Sequence, residues 1–127
     1  MDVLRAVNLQ EHYMYNQKCN LLLQIPELRF AGFLDPMGNL IAGGFKQGVT
    51  PLHDESERQK LYMETVLRVK TREEFDYNLG EVQYAAARRK KVVTMTFPLN
   101  GKVLFVSMEL NVNIEDAAEK IMKICWI

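Results

Sequence analysis

The chain has 127 residues, a length typical of one domain, so we expect residues 1–127 to form a single domain. Its 16 Lys and Arg residues balance its 16 Asp and Glu residues, so no overall charge attracts nucleic acid or an anionic membrane. No apolar run reaches the length of a membrane span, and the first residues lack the apolar core of a signal peptide. We therefore expect a cytoplasmic protein.

The two cysteines, Cys19 and Cys125, lie far apart in the sequence. They form neither a metal-ligand pattern nor a CxxC redox motif. Buried thiols in a reducing compartment are the favoured interpretation.

Apolar side chains at helical spacing predict a first helix from about Asn8 to Ile25. Pro26 ends it, because the residue before a proline is disfavoured in the helical region. The expected buried stripe comprises Met14, Tyr15, Cys19, Leu21, Leu22 and Ile25.

A glycine-rich stretch follows and predicts two strands, Phe30–Leu34 and Asn39–Phe45. The intervening Asp-Pro-Met-Gly sequence has the composition of a type I turn. Gly43 and Gly48 are spaced as in a phosphate-binding Walker loop, but Val49 stands where that loop needs lysine. We therefore interpret these glycines as positions of close backbone packing.

A second helix is predicted from the cap Asp54, with Glu57 as its capping-box partner, to about Glu74. Further strands are predicted over Val82–Arg88, Val92–Leu99 and Lys102–Leu110. Asn113 caps a last helix, and Trp126 beyond it is expected to pack against the rest of the domain.

Asn100-Gly101 between the last two strands is a strong signal for a two-residue hairpin turn, which fixes the strand register. Phe97 then faces Leu104, and Met95 faces Val106. The opposite face carries Thr94, Thr96, Val103, Phe105 and Ser107, so we expect it to be partly covered as well.

No set of residues indicates catalysis, a metal or a cofactor. His12 and His53, the two histidines, do not have ligand spacing. The basic run Arg88, Arg89, Lys90, Lys91 is expected to form a solvated turn, or else to contact an acidic protein partner. We therefore expect a protein that is not an enzyme and binds no cofactor.

The predicted order α-β-β-α-β-β-β-α defines an α+β fold with one five-stranded, mostly antiparallel sheet and helices on both faces. This order, with "LLLQIPELRFAGFLDPMGNLIAGGF", resembles the Roadblock/dynein-light-chain fold, a relative of the profilin and longin folds. The stretches "AGGFKQGVTPL", "FDYNLG" and "VVTMTFPLNGKVLFVS" also resemble an uncharacterised family of short proteins from ammonia-oxidising archaea.

The Roadblock resemblance implies a non-enzymatic homodimer that scaffolds or regulates a protein partner, such as a small GTPase. It implies that two copies join through the middle helix and the following strand, so that two sheets become one. The expected dimer contacts are Tyr62, Val66, Val69, Val82, Tyr84 and Ala86.

The alternative function is a small-molecule sensor that binds its ligand between the sheet and a helix. The half-apolar second face, with Val103, Phe105, Thr94 and Thr96, is the expected lining.

Overall fold

The structure is a computed structural model that describes residues 2–125, with side chains from Leu9 onward. Trp126 lies outside the described residues, so its packing stays a prediction. The elements in chain order are α1 (Asp2–Leu22), β1 (Leu28–Leu34), β2 (Leu40–Phe45), α2 (Glu55–Glu73), α3 (Asp76–Leu79), β3 (Ala85–Arg88), β4 (Val93–Leu99), β5 (Lys102–Met108) and α4 (Ile114–Cys125).

Within residues 2–125, five strands form one sheet in the order β2-β1-β5-β4-β3. Every pair of neighbouring strands is antiparallel. Helices cover parts of both faces, so the predicted fold class and element order are confirmed. β2 and β3 are the two edge strands, at opposite sides of the sheet.

The β4–β5 hairpin has the register that its two-residue turn predicts. Asn100 and Gly101 both have positive φ, at 50° and 78°. Phe97 pairs with Leu104, and Met95 pairs with Val106. These four side chains have no exposed surface, because they all project onto the same covered face.

α1 and α4 cover this face of the sheet. Tyr15, Cys19 and Leu22 of α1 pack there with Ile121 and Cys125 of α4. The ring of Tyr15 lies 4.4 Å from the ring of Phe33, measured between centroids. This cluster is the larger of the two buried cores among the described side chains.

α2 covers the other face over β1 and β5. Its Tyr62, Val66 and Val69 pack on residues of those two strands, including Phe30 and Phe105. The predicted partial cover of the second face is therefore confirmed. The predicted capping box is present too, since the Glu57 N–H donates to the Asp54 carboxylate at 2.8 Å.

The predicted stripe of α1 is wrong at two of its six positions. Met14 and Leu21 are 43% and 50% exposed, whereas the other four predicted members are buried. The helix rests on the sheet along a narrow line through Tyr15, Cys19 and Leu22, and Met14 and Leu21 lie outside that line. The helix begins at Asp2, six residues before its predicted start at Asn8, and ends at Leu22, three residues before its predicted end at Ile25.

β3 begins at Ala85, three residues after its predicted start at Val82. Continuing the register would place Gln83 opposite Pro98 of β4. Proline has no N–H to donate to the neighbouring strand, so the ladder ends there. The preceding residues instead include the short helix α3, which the sequence patterns did not predict.

Candidate functional site

The outer edge of β3 is open. The Arg89 N–H donates to the Val92 carbonyl oxygen at 2.9 Å, so the backbone groups of Arg89 point towards the strand partner. In an antiparallel pair only every second residue directs its N–H and C=O groups at the neighbouring strand. The N–H and C=O groups of Ala86 and Arg88 therefore point away from β4. Ala86 and Ala87 have exposed side chains too small to shield these groups.

The opposite edge, β2, is protected by side chains of α1. The Gly43 N–H donates to the Asn16 side-chain oxygen at 2.8 Å. The Asn16 amide nitrogen lies 2.8 Å from Nε2 of His12, and Nδ1 of His12 lies 2.6 Å from the Ile41 carbonyl oxygen. A consistent assignment has the Asn16 amide donating to Nε2 and the Nδ1–H of His12 donating to Ile41. The sheet therefore has one capped edge and one open edge.

The segment that leads into β3 exposes large apolar side chains. Phe75, Tyr77 and Leu79 are 51%, 86% and 81% exposed. Such exposure of neighbouring apolar residues is typical of surfaces that are covered in an assembly.

A groove lies beside the open edge, between α2 and the β3–β4 pair. It holds about 830 Å³ of empty space, including its mouth. Alanine and threonine side chains of the two strands form its floor: Ala85, Ala87, Thr94 and Thr96. Its α2 wall includes Glu64, Thr65, Arg68 and Arg72, and Arg89 adds a further positive charge.

The groove carries more positive than negative charge. In the described part of the chain, ion pairs are found for Arg29 with Glu109 and for Arg68 with Glu64. The second pair joins residues four apart on α2 at 2.6 Å and is well exposed. Within the described residues neither Arg72 nor Arg89 forms a salt bridge, so both add positive charge to the groove.

A second cavity lies between the start of α2 and the sheet. Four aromatic rings line it: Phe30, Phe45, Tyr62 and Phe105. Its empty volume is about 450 Å³, including the opening. The Arg58 guanidinium lies 5.8 Å from the Phe45 ring centroid and donates to the His53 carbonyl oxygen at 2.7 Å. Burial raises the pKa of the Tyr62 hydroxyl, which therefore stays neutral near pH 7.

Of the four basic residues in the turn, Arg88 is hydrogen-bonded to the chain and the other three are exposed. The Arg88 guanidinium donates to the carbonyl oxygens of Leu110 and Val112 at 2.8 and 3.0 Å. Arg89, Lys90 and Lys91 are exposed and extend into solvent. Only these three of the four predicted partner contacts have their charged groups available.

The six expected dimer contacts do not share one surface. Tyr62, Val66 and Val69 are buried against the chain's own sheet. Tyr84 lies on the opposite face, where its hydroxyl donates to the Glu115 carboxylate and the pKa of Tyr84 is raised by that bond. Val82 is half-buried before β3, and Ala86 is exposed on the open edge.

The two thiols of the chain are buried. Burial raises the pKa of Cys19 to about 12, with the nearby Cys125 adding to the shift, and raises the pKa of Cys125 to about 11. Both thiols are therefore unreactive near neutral pH. Among the described side chains, no three His, Cys, Asp or Glu residues group in a way that could hold a metal ion.

A sequence model of a known family matches nearly the whole chain. The family is DUF6659, described as a family of unknown function, and the match covers residues 4–125. The chain belongs to this family. A search among curated proteins finds no match for the DUF6659 chain.

Solved structures show which fold the DUF6659 chain has. A Roadblock/LC7 domain from Streptomyces avermitilis aligns with a TM-score of 0.66 at 10% identity, covering 86% of this chain and 89% of that chain. Myxococcus xanthus MglB aligns at 0.63 and 17% identity, covering 91% and 90%. MglC from Myxococcus xanthus aligns at 0.55 and 11%, covering 87% and 91%. The fold is therefore that of the Roadblock/LC7 domain, as its sequence resemblance implies.

Sequence patterns missed two features of the DUF6659 chain's surface. One is the groove wall of Glu64, Arg68 and Arg72, because their spacing on α2 also suits an ordinary solvated face. The other is the α1 cap on β2, which depends on residues 27 and 29 positions apart in the sequence. None of the helices within residues 2–125 is both long enough and apolar enough to cross a membrane.

Proposed function

We propose that this chain is a non-catalytic interaction module that forms a homodimer through the open edge of β3 and regulates or scaffolds a protein partner. The observation that carries the proposal is the contrast between the two sheet edges. α1 side chains cap β2, whereas β3 presents free backbone groups beside small side chains. An unprotected edge of this kind is suited to pairing with another strand.

A two-fold axis beside β3 would join two sheets into one, in an interface where the same residues meet from both copies. The groove floor would then continue across the axis, and Glu64, Arg68 and Arg72 of each copy would line it. We therefore revise the α2 contribution from the buried Tyr62, Val66 and Val69 to these groove residues. The exposed Tyr77 and Leu79 lie in the segment leading to this edge and add apolar surface for the contact.

Light scattering on a sizing column tests the dimer. At tens of micromolar we expect twice the chain mass of 14.7 kDa. Ala86→Pro removes an N–H that points away from β4, so it should give a monomer whose thermal melt stays cooperative. Ala86→Ser keeps the N–H and should remain a dimer. A wild-type monomer, or a dimeric Ala86→Pro variant, would overturn this mode of association.

The Roadblock resemblance suggests a small GTPase as the regulated partner. Arg89, Lys90 and Lys91 are the proposed contacts, since a cluster of exposed cations favours an acidic protein surface. Affinity capture in the presence of GTP or of GDP should recover a GTPase in one nucleotide state. Substituting glutamate for all three residues should abolish recovery of the GTPase. The same substitution at Lys60, Lys120 and Lys123 should leave recovery unchanged. Equal recovery with both sets of variants would contradict the contact.

The aromatic cavity favours a second candidate function, the small-molecule sensor. Its four rings and the adjacent Arg58 suit a planar ligand with a negative group. A thermal-shift screen of metabolites and nucleotides should then find a compound that raises the melting temperature, with Arg58→Gln reducing the shift. If no compound in the screen moves the melting temperature, the sensor function is not supported.

A further inference from the structure

Between Leu9 and Leu21, where side chains are described, the outward face of α1 differs from an ordinary solvated helix face because it carries no charged residue. Seven exposed side chains form it, and we call them the α1 outer face: Leu9, Gln10, Tyr13, Met14, Gln17, Asn20 and Leu21. The exposed residues of α2, on the other side of the sheet, are mostly charged and include Glu55, Lys60, Arg68 and Lys70. Depletion of charge with enrichment of Tyr and Met is typical of the centre of a protein interface.

The apolar members of this face are well exposed. Leu9 is 62% exposed, Tyr13 65%, Leu21 50% and Met14 43%. Leu9, Tyr13, Gln17 and Leu21 follow one another at four-residue intervals, so they form one ridge along the helix. The Gln17 side-chain amide donates to the Tyr13 hydroxyl at 2.8 Å, which holds the centre of the ridge in one arrangement.

We propose that the α1 outer face docks against the same face of a second copy of this chain, with the two helices antiparallel. The electrostatics favour self-docking, because two copies of a neutral face bring no like charges together. Gln and Asn side chains both donate and accept hydrogen bonds, so Gln10 of one copy can pair with Asn20 of the other across a two-fold axis. An axis midway between Tyr13 and Gln17 places Leu9 of one copy opposite Leu21 of the other.

This contact is separate from the proposed β3 dimer. α1 packs along β2 and caps its edge, whereas the proposed dimer uses β3 at the far side of the sheet. Both contacts can therefore exist at once and would build assemblies larger than a dimer. The α1 helix spans 21 residues, or about 32 Å, so its face is smaller than the roughly 800 Å² per partner of a standard interface. We therefore expect a weak contact that two copies on one β3 dimer reinforce.

Sedimentation velocity over a concentration series tests the proposal in two backgrounds, wild type and Ala86→Pro. The variant Leu9→Lys with Leu21→Lys places a lysine of one copy opposite a lysine of the other in the proposed pairing. It should weaken self-association at least tenfold in both backgrounds. The matched control, Met37→Lys with Leu67→Lys, alters side chains that are 67% and 55% exposed elsewhere and should leave association unchanged.

The two backgrounds separate the failure of this inference from that of the proposed function. If Ala86→Pro leaves the mass of the assembly unchanged but the lysine variant of α1 lowers it, the result supports the α1 contact and contradicts the β3 dimer. If the α1 variant and its control associate alike in both backgrounds, the α1 contact is overturned. Binding of the wild-type chain to phosphatidylcholine vesicles without any α1-dependent self-association would likewise overturn it.

Cross-linking tests the antiparallel arrangement. The native thiols of Cys19 and Cys125 are buried, so they should not form cross-links. A mixture of Leu9→Cys and Leu21→Cys chains, oxidised by glutathione disulfide, should form a mixed cross-linked dimer. Each variant alone should cross-link far more slowly. If either variant alone cross-links faster than the mixture, the antiparallel pairing is overturned.

Discussion

Gly43 is a residue whose identity the packing dictates. Its φ is +97°, and an added Cβ would overlap the Ala31 carbonyl oxygen and lie 2.8 Å from the Cys19 sulfur. Only glycine fits where α1 approaches β2 this closely. The predicted role of this glycine in close backbone packing is thereby confirmed. The same prediction is wrong for Gly48, where nothing lies within 4 Å of an added Cβ.

Gly43→Ala should lower the free energy of unfolding by about 3 kcal/mol, since strain and overpacking act together. Gly44→Ala is the matched control, because nothing lies within 4 Å of a Cβ at that position. It should change stability by less than about 0.5 kcal/mol. Chemical denaturation of both variants measures the difference. Equal effects at the two positions would contradict the packing at Gly43.

Asp35 organises the β1–β2 turn. Its Oδ1 accepts the N–H groups of Met37 and Asn39, both at 2.9 Å. Partial desolvation opposes ionisation, but hydrogen bonds from Asn39, Met37 and Gly38 outweigh it and hold the pKa of Asp35 below its ordinary value of 3.8. A carboxyl with a lowered pKa stabilises the fold above its unfolded pKa and loses that contribution as the pH falls through the folded value.

Asp35→Asn should therefore cost about 1 kcal/mol of unfolding free energy at pH 7, where the carboxylate is the better acceptor. The gap between the variant and the wild type should narrow as the pH falls below 3.8. Denaturant titrations at pH 7 and pH 3 measure it, with the exposed Glu119→Gln as control. A gap that is constant or widens in acid would contradict this account of the turn.

At the level of elements, helix α2 begins where its sequence predicts. Asp54 and Glu57 make both reciprocal bonds of the capping box. These bonds satisfy the backbone N–H groups of Asp54 and Glu57, which would otherwise lack partners at the helix start.

Asp54→Ala should lower the unfolding free energy by about 1 kcal/mol. Ser56→Ala, an exposed position in the same turn, should change it by less than about 0.5 kcal/mol. Thermal or chemical unfolding compares the two variants. A larger loss at Ser56 than at Asp54 would show that the cap is not what holds the start of α2.

The elements that the sequence predicts well are those that local chemistry decides. The Asn100-Gly101 turn sets the β4–β5 register without help from the rest of the chain. The start of β3 depends instead on Pro98, which lies opposite it only once the sheet has formed. Likewise, periodicity cannot tell that Met14 and Leu21 lie beyond the contact line, because the width of that line depends on how α1 rests on the sheet.

At the scale of the whole molecule, the candidate site was only partly predictable. The strand "VQYAAARR" indicates an unprotected edge from sequence alone, because it lacks proline and its charges lie only at one end. The capping of the opposite edge by Asn16 and His12 could not be predicted, since it needs the placement of α1 across β2. The contrast between the edges, on which the proposed dimer rests, belongs to the folded molecule.

Amide hydrogen exchange at single-residue resolution tests the central claim most directly. The N–H groups of Ala86 and Arg88 point away from β4, whereas the N–H of Ala87 points towards it. If two copies pair through β3, the amides of Ala86 and Arg88 should exchange slowly at hundreds of micromolar and faster on dilution, while Ala87 stays protected throughout. Rapid exchange of both outward amides at every concentration, with Ala87 protected, would contradict the account.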